Sequence, residues 1–401
     1  MKNFIKQAEK FLTPNYRRQP VALVRGKGLK VRDNNGRSYL DFTAGIAVVN
    51  LGHAHPRIAA ALCRQAKTLL HTSNLYHILP QIELAELLVK NSNLDRVFFC
   101  NSGTEAVEAA LKLARKYARE VSGRGYEIIA AKNSFHGRTF GALSATGQPK
   151  FHKGFEPMLP GFSFVEFGNI SALKKAVSRK TCAVILEVVQ AEGGVNIAPA
   201  GYFQAVRKLC DQNHMLLILD EVQTGMGRLG KLFGYQFARV RPDIITLAKA
   251  LGNGFPIGAM LAREKAAEVL NPGSHASTFG GNFLASVAAL ETVKLMLREK
   301  WPERAGNIGK YFLARLKQLK QKHPAIKEVR GAGLMLGAEL AIDRCERVID
   351  ELRQKGFLVN LTQGRILRFI PPLIVSTKEI DMLISCLDNI MTRYDAEMNK
   401  Q

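Results

Sequence analysis

No stretch of the sequence stays apolar for the roughly 18–20 residues that a membrane-spanning helix needs, so a helical integral membrane protein is not expected. The opening MKNFIKQAEKFLTPNYRRQP lacks the apolar core of about 7–15 residues that marks a secretory signal. Its Lys and Glu spacing predicts a short surface helix instead. Cys63, Cys100, Cys182, Cys210, Cys345 and Cys386 are scattered with no C-x-x-C pair. Most sit in apolar runs, and buried free thiols in a reducing cytoplasm are expected. H-E-x-x-H, nucleophile-elbow and zinc-ribbon spacings are all missing. His53 and His55 in GHAHP have no third ligand at recognisable spacing, so a structural turn is expected there and no metal.

Acidic residues are also scarce. Asp and Glu number 34 against 57 Lys and Arg, a formal charge of +23. The basic residues are dispersed, densest in REKWPERAGNIGKYFLARLKQLKQKHPAIKEVR, where they read as the wet faces of helices. No RNA- or DNA-binding signature accompanies them, so the charge implies solubility and a mild pull on anionic metabolites rather than nucleic acid.

What is present is a chain of 401 residues, 47% hydrophobic, long enough for two cores. Apolar runs alternate with helical patterns: RVFFC, YEIIAA, CAVILEVV, MLLILDEV, DIITLAKAL and PIGAMLA. Near-continuous β-branched runs between helices predict an α/β domain with a largely parallel sheet covered on both faces. Brackets at about residues 60 and 290 enclose it. Residues 61–290 are then the large domain, 291–401 a smaller α+β unit, and 1–60 an N-terminal segment packing with that unit. Ligands of such sheets sit at the carboxyl ends of the strands, which directs attention to the loops after each run.

In PDIITLAKALGNGFPIGA, Lys249 is the only charge between Asp243 and Arg263. Burying its ammonium costs several kcal/mol or forces it to lose its proton. Asp220 sits where the apolar MLLILD run meets a loop, a costly place for a carboxylate unless cations or donors face it. After RVFFC comes Asn101-Ser102-Gly103-Thr104-Glu105. Ser102 and Glu105 have capping-box spacing, and the same residues could form an anion site at a helix start. FHGRT (135–139) offers an aromatic, a histidine and an arginine on one loop, able to hold a flat ring and a carboxylate. Gly225-Met226-Gly227-Arg228-Leu229-Gly230 matches the dinucleotide fingerprint, which is the motive for considering an NAD-dependent dehydrogenase. Yet Asp220 and Glu221 stand at the strand end, where they would repel a pyrophosphate. The near-match to a P-loop fails because Leu232 stands where Ser or Thr must hold magnesium.

A phosphate cradle, a stacking aromatic, a buried acid and a lysine in apolar surroundings together make the parts list for pyridoxal 5'-phosphate. Lowering a lysine from ~10.4 to near 7 takes roughly 4–5 kcal/mol of differential destabilisation, which burial beside a cationic ring can supply.

The motifs NSGTEA, FHGRT, LDEVQTGMGR, TLAKALGNGFPIGA and STFGGN resemble the class III (ω-amino) aminotransferases of pyridoxal-phosphate fold type I, in particular their acetylornithine branch. The likeness runs from LDFTAGIAVVNLGHAHP to LRFIPPL, nearly the whole chain. It implies a large domain with a mostly parallel seven-stranded sheet and a smaller α+β domain built from both termini. By position, it implies that Lys249 bonds the cofactor's aldehyde and Asp220 pairs with its ring nitrogen. Phe135 would stack on the ring, Gln223 bond its phenolic oxygen, and Val222 complete the ring's pocket. Ser102, Gly103 and Thr104 would hold the phosphate, joined by Thr278 from a second subunit of a homodimer, with Ser277 at the substrate entrance. Arg138 resembles the arginine that grips the carboxylate remote from the reacting carbon. Arg368 resembles the one that takes the α-carboxylate of glutamate, and Glu192 its mask. The reaction implied is ping-pong transfer of an amino group from acetylornithine to 2-oxoglutarate. Succinylornithine, ornithine, succinyl-diaminopimelate and 4-aminobutyrate remain alternative donors. The chain departs from the usual pattern at Val188, Ala191, Asn253, Ala276 and Phe283, where proline, glycine, glycine, glycine and proline are common.

Overall fold

Seven strands make the central sheet of this computed structural model, which describes residues 4–398. In chain order they are β1 (Arg96–Cys100), β2 (Glu127–Ala131), β3 (Phe162–Val165), β4 (Thr181–Glu187), β5 (Leu216–Asp220), β6 (Ile244–Leu247) and β7 (Gly258–Ala262). Their spatial order is β1-β7-β6-β5-β4-β2-β3. All neighbours run parallel except β7, which is antiparallel to both β6 and β1. Every residue of β4, β5, β6 and β7 is buried, as expected of strands covered on both faces. The fold is therefore α/β as the alternating runs predict. The edge strand β3 was not anticipated, because FSFV is short and only its last residue is buried.

Helix α1 (Gly103–Tyr117) lies across the middle of this sheet. Its buried face is mostly alanine, with Ala106, Ala109, Ala110 and Ala114 fully enclosed, so the helix axis can approach the strands closely. The opposite face of the sheet is filled by a core that includes Leu186, Leu219 and Leu247 together with the helix Phe283–Arg298. That helix straddles residue 290, and its buried side chains belong to this core as far as Met296.

A separate core joins both ends of the chain. Phe42 packs against Phe312 and Phe357, with ring centroids at 6.0 and 6.2 Å. The N-terminal meander Leu23–Lys27, Lys30–Asp33 and Ser38–Asp41 is extended by the C-terminal strand Phe357–Leu358. VRGAGLMLGAEL, which reads as one strand, is a hairpin of Ile326–Ala332 and Met335–Leu340, turned by Gly333 at φ 53°. Ile366–Phe369 pairs with Met335–Leu340 and brings Arg368 towards the sheet. The helix Phe4–Phe11 buries no residue, in line with the surface helix expected there. No helix among the described residues is long and apolar enough to cross a membrane. The cysteines are all free and four are buried, as expected for most of them, while Cys386 is half-buried and Cys63 exposed.

Candidate active site

The strand ends converge on one cavity of about 430 Å³, within the range of small-molecule sites. It is lined by Ser102, Gly103, Thr104, Phe135, Arg138, Asp220, Val222, Gln223 and Lys249, nine of the residues singled out in the sequence. Because β7 runs antiparallel, its amino end reaches the same edge, and Pro256 and Ile257 line the cavity too.

The NSGTE stretch caps a helix, and its small residues line the cavity. Ser102 Oγ accepts the Glu105 N–H at 3.3 Å and donates to Glu105 Oε2 at 2.7 Å, while Glu105 Oε2 accepts the Asn101 N–H at 3.0 Å. Ser102 thus caps the helix as its spacing predicts, while Glu105 reaches back to the Asn101 amide rather than to that of the N-cap. Ser102 also takes the Ala106 N–H on its carbonyl, so Gly103 and Thr104 carry the helix N–H groups without an intrahelical acceptor. They face the cavity at the positive end of fifteen aligned peptide dipoles, where a phosphate is stabilised. The Thr104 hydroxyl accepts the N–H groups of Arg138 and Thr139 at 3.2 Å each, which pins the FHGRT loop to α1. Gly137 between them has φ 138°, and a Cβ there would lie 2.3 Å from Thr104 Oγ1. Only glycine lets the loop come this close.

Asp220 ends β5 at the back of the cavity. Its Oδ1 accepts the Val222 N–H and the Thr246 hydroxyl, both at 3.0 Å, and its Oδ2 faces His136 Nδ1 at 2.8 Å. These donors answer the cost of placing a carboxylate there. His136 is buried and its Nε2 has no protein partner, so the ring acts on Asp220 alone. Lys249 follows β6 and opens a tight turn with its own backbone at φ 45°. Burial pushes its ammonium below the ordinary lysine range, and Arg368 adds to that, against the opposing pull of Asp220, Glu192 and Glu187.

Glu187 also lines the cavity, and the sequence reading missed it. It ends β4 in register with Asp220 and accepts the Phe135 N–H at 3.2 Å. Burial and the neighbouring Asp220 charge raise its carboxyl well above the usual range. The signal was the one that exposed Asp220, a carboxylate closing an apolar run.

Four expected residues stand outside the cavity wall. Arg368, 1% exposed, donates through Nη1 to Glu192 Oε1 at 2.5 Å and Gln223 Oε1 at 3.2 Å. Ser277 Oγ accepts from Asn101 Nδ2 of the same chain at 3.2 Å, and Thr278 is exposed. Arg138 is exposed with its guanidinium 4.1 Å above the Phe151 ring, and 5.6 Å from that of Phe135. Among the described residues no cluster could hold a metal ion, and His53 instead meets Asp41 at 2.8 Å. The GMGRLG loop opens no helix towards the cavity; it is interlocked with the helix Trp301–Lys322.

The donor set fits pyridoxal phosphate. An amine with a depressed pKa, a firmly held carboxylate, an aromatic face and a free helix N-terminus border one space of suitable size. Residues 11–391 match the family model Aminotransferase class-III. An acetylornithine aminotransferase of Caldanaerobacter subterraneus is 51% identical over 97% of this chain and 99% of its own length. An ornithine aminotransferase of Toxoplasma gondii, whose structure is described with partial occupancy of pyridoxal phosphate at the active site, superposes with TM-score 0.94. It is 36% identical, with 100% of this chain and 96% of that one covered. An acetylornithine aminotransferase of Elizabethkingia anophelis gives TM-score 0.88 at 33% identity, covering 97% and 98%. The chain belongs to the class III aminotransferases and uses their cofactor, pyridoxal phosphate.

Proposed function

We propose that this enzyme moves the δ-amino group of N2-acetyl-L-ornithine to 2-oxoglutarate, giving N-acetyl-L-glutamate 5-semialdehyde and L-glutamate, as a step of arginine biosynthesis in the cytoplasm. The observation that carries the chemistry is the meeting of Lys249 and Asp220 in one cavity at the foot of α1. The choice of donor is supported by the curated relatives, which at about half identity are named for acetylornithine.

Bound there, pyridoxal phosphate supplies an aldehyde for amines and a ring that takes up electron density from the substrate. Gly103, Thr104 and Ser102 would hold its phosphate, Phe135 and Val222 would border its ring, and Gln223 would meet its phenolic oxygen, all of them lining the cavity. Asp220, kept in place by His136, Thr246 and the Val222 N–H, would pair with the ring nitrogen. Lys249 Nζ, its charged form disfavoured by burial, takes the proton from the donor's δ-carbon. Arg138 grips the donor's carboxylate at the cavity mouth with a two-pronged guanidinium, which leaves the δ-amine pointing inward. Arg368, released by Glu192, receives the α-carboxylate of glutamate.

A second copy completes the site. Leu69, Leu70, Leu75, Tyr76, Leu79 and Phe279 are exposed on this chain, apolar side chains that a second copy could cover. Thr278, outside its own chain's cavity, then serves the phosphate of the partner, with Ser277 beside the partner's substrate. Residues 61–290 make up most of the large domain, which its last helix carries on to Arg298, and the smaller domain joins the N-terminal segment to the described residues that follow.

The test is a steady-state comparison of acetylornithine, succinylornithine and ornithine as donors with 2-oxoglutarate, on protein whose yellow colour is lost in Lys249→Ala. Acetylornithine should have the highest kcat/KM. Preference for ornithine would reassign the donor, and a colourless wild-type protein would refute the reading altogether.

A further inference from the structure

The turn that carries Lys249 is held from behind by a residue that no step above uses. Asn253, at φ 45° and 9% exposed, turns its side chain into the loop at residues 50–52. Its Oδ1 accepts the Leu51 N–H at 2.8 Å and its Nδ2 donates to the Gly52 carbonyl at 3.2 Å. Asn50, next in that loop, donates from Nδ2 to the Met226 carbonyl at 2.8 Å and accepts a hydrogen bond from Arg228. Arg228 is fully buried without a carboxylate partner; its other acceptors are the carbonyls of Pro371 at 2.6 Å and Leu334 at 2.9 Å. The Leu373 N–H closes the ring by donating to the Asn50 carbonyl at 2.7 Å. Pro371 and Leu373 follow directly on the strand that bears Arg368.

A continuous set of buried hydrogen bonds thus spans from the Lys249 turn to the Arg368 strand. The span needs holding. Lys249 and Asn253 both have left-handed backbones, a conformation that costs roughly 1–2 kcal/mol for a residue other than glycine and persists only where its surroundings enforce it. Asparagine accepts that conformation better than most residues and adds the two bonds that glycine could not make. Resting on the reading of Lys249 as the reacting amine, we propose that Asn253 is a positioning residue that fixes the Lys249 turn relative to the Arg368 strand through Asn50 and Arg228.

Only the glutamate half-reaction uses Lys249 and Arg368 together, since the acyl donor is gripped by Arg138. Asn253→Gly keeps the left-handed backbone free of strain and removes only the tether, and Asn50→Ala cuts the same relay one link further on. Each holoenzyme should convert glutamate about tenfold more slowly in single turnover, because small misplacements of reacting groups are expensive in rate. Its acetylornithine half-reaction should stay within about twofold, since that donor is gripped by Arg138 and does not depend on the placement of Lys249 relative to Arg368. In the cofactor-free protein, amides 249–254 should exchange at least about tenfold faster in Asn253→Gly, with β5 unchanged. Equal losses in both half-reactions, wild-type rates in both, or unaltered exchange would each overturn the proposal. Wild-type protein inert towards glutamate would instead fault the proposed function.

Discussion

Buried Arg368 and half-buried Glu192 form an ion pair, Nη1 to Oε1 at 2.5 Å, beside the cavity that Lys249 lines. Burial alone would raise the Glu192 carboxyl, but the Arg368 charge and hydrogen bond, with Lys249 and Gln223 adding to them, hold it below its ordinary value. Arg368 is therefore masked at neutral pH. An unmasked guanidinium would draw the donor's carboxylate towards the ring and place its δ-amine outward. In Glu192→Ala, kcat/KM for acetylornithine should fall about tenfold or more, one step of 1.4 kcal/mol, and that for glutamate by less. Equal losses measured with the two substrates would remove the gate. The same unmasking should occur in the wild type as pH falls through the lowered carboxyl value, where the protonated acid no longer competes for Arg368.

Lys249 offers a prediction in the absence of any cofactor. Its folded-state pKa lies below the unfolded value near 10.4, so the group adds nothing above that pH and destabilises the fold once it is protonated inside. Cofactor-free Lys249→Met should be more stable than the wild type at neutral pH, with the difference vanishing as the pH approaches about 10. Both residues must take the same left-handed backbone, so that strain cancels in the comparison. Urea unfolding across the pH range measures it, and a pH-independent difference would mean that the amine is not desolvated.

Asp220 is held by three donors, which makes its charge more important than its shape. Asp220→Asn preserves the size of the group and removes the anion that would face the ring nitrogen. Turnover should drop by about 10²–10³, the usual loss when one preorganised electrostatic partner is removed. Colour and cofactor retention should survive, since Lys249 and the α1 terminus are untouched. Retained turnover in Asp220→Asn would place the ring nitrogen elsewhere.

Much of this site was legible because costly placements stand out in a sequence. A lysine in an apolar segment, an acid closing the LLILD strand, and small residues between RVFFC and a helix each violate a burial preference, and each lines the cavity. The fold was legible where β-branched runs are continuous, from β4 to β7. Direction was not: nothing in PIGAMLA marks β7 as antiparallel, since a fully buried strand shows the same apolar run either way. Nor does local spacing say what Thr278, exposed on its own chain, would meet. The N-terminal meander escaped notice because LVRGK buries no residue and KVRD is too short and charged to show an apolar run.

The GMGRLG segment imitates a dinucleotide loop because close backbone packing, like pyrophosphate binding, selects glycine. Gly230 has φ 90°, and a Cβ on it would stand 3.0 Å from the Gly306 Cα of the helix Trp301–Lys322. A Cβ on Gly227 would come within 2.8 Å of Leu373 Cδ1. These glycines let the cofactor-binding core and the C-terminal unit approach at backbone distance, with Arg228 buried between them. Gly230→Ala must therefore both strain the backbone and push the helix away, and relief by rotamer change is unavailable because the obstacle is main chain. The variant should lose about 2–4 kcal/mol, combining left-handed strain of roughly 1–2 kcal/mol with an overpacking cost of similar size. No group that lines the cavity is altered, so whatever fraction folds at low temperature should bind pyridoxal phosphate as the wild type does. Denaturant melts and cofactor titration on the same sample test both halves. Wild-type stability would show that the loop packs loosely, and folded protein without cofactor affinity would return the segment to the binding site.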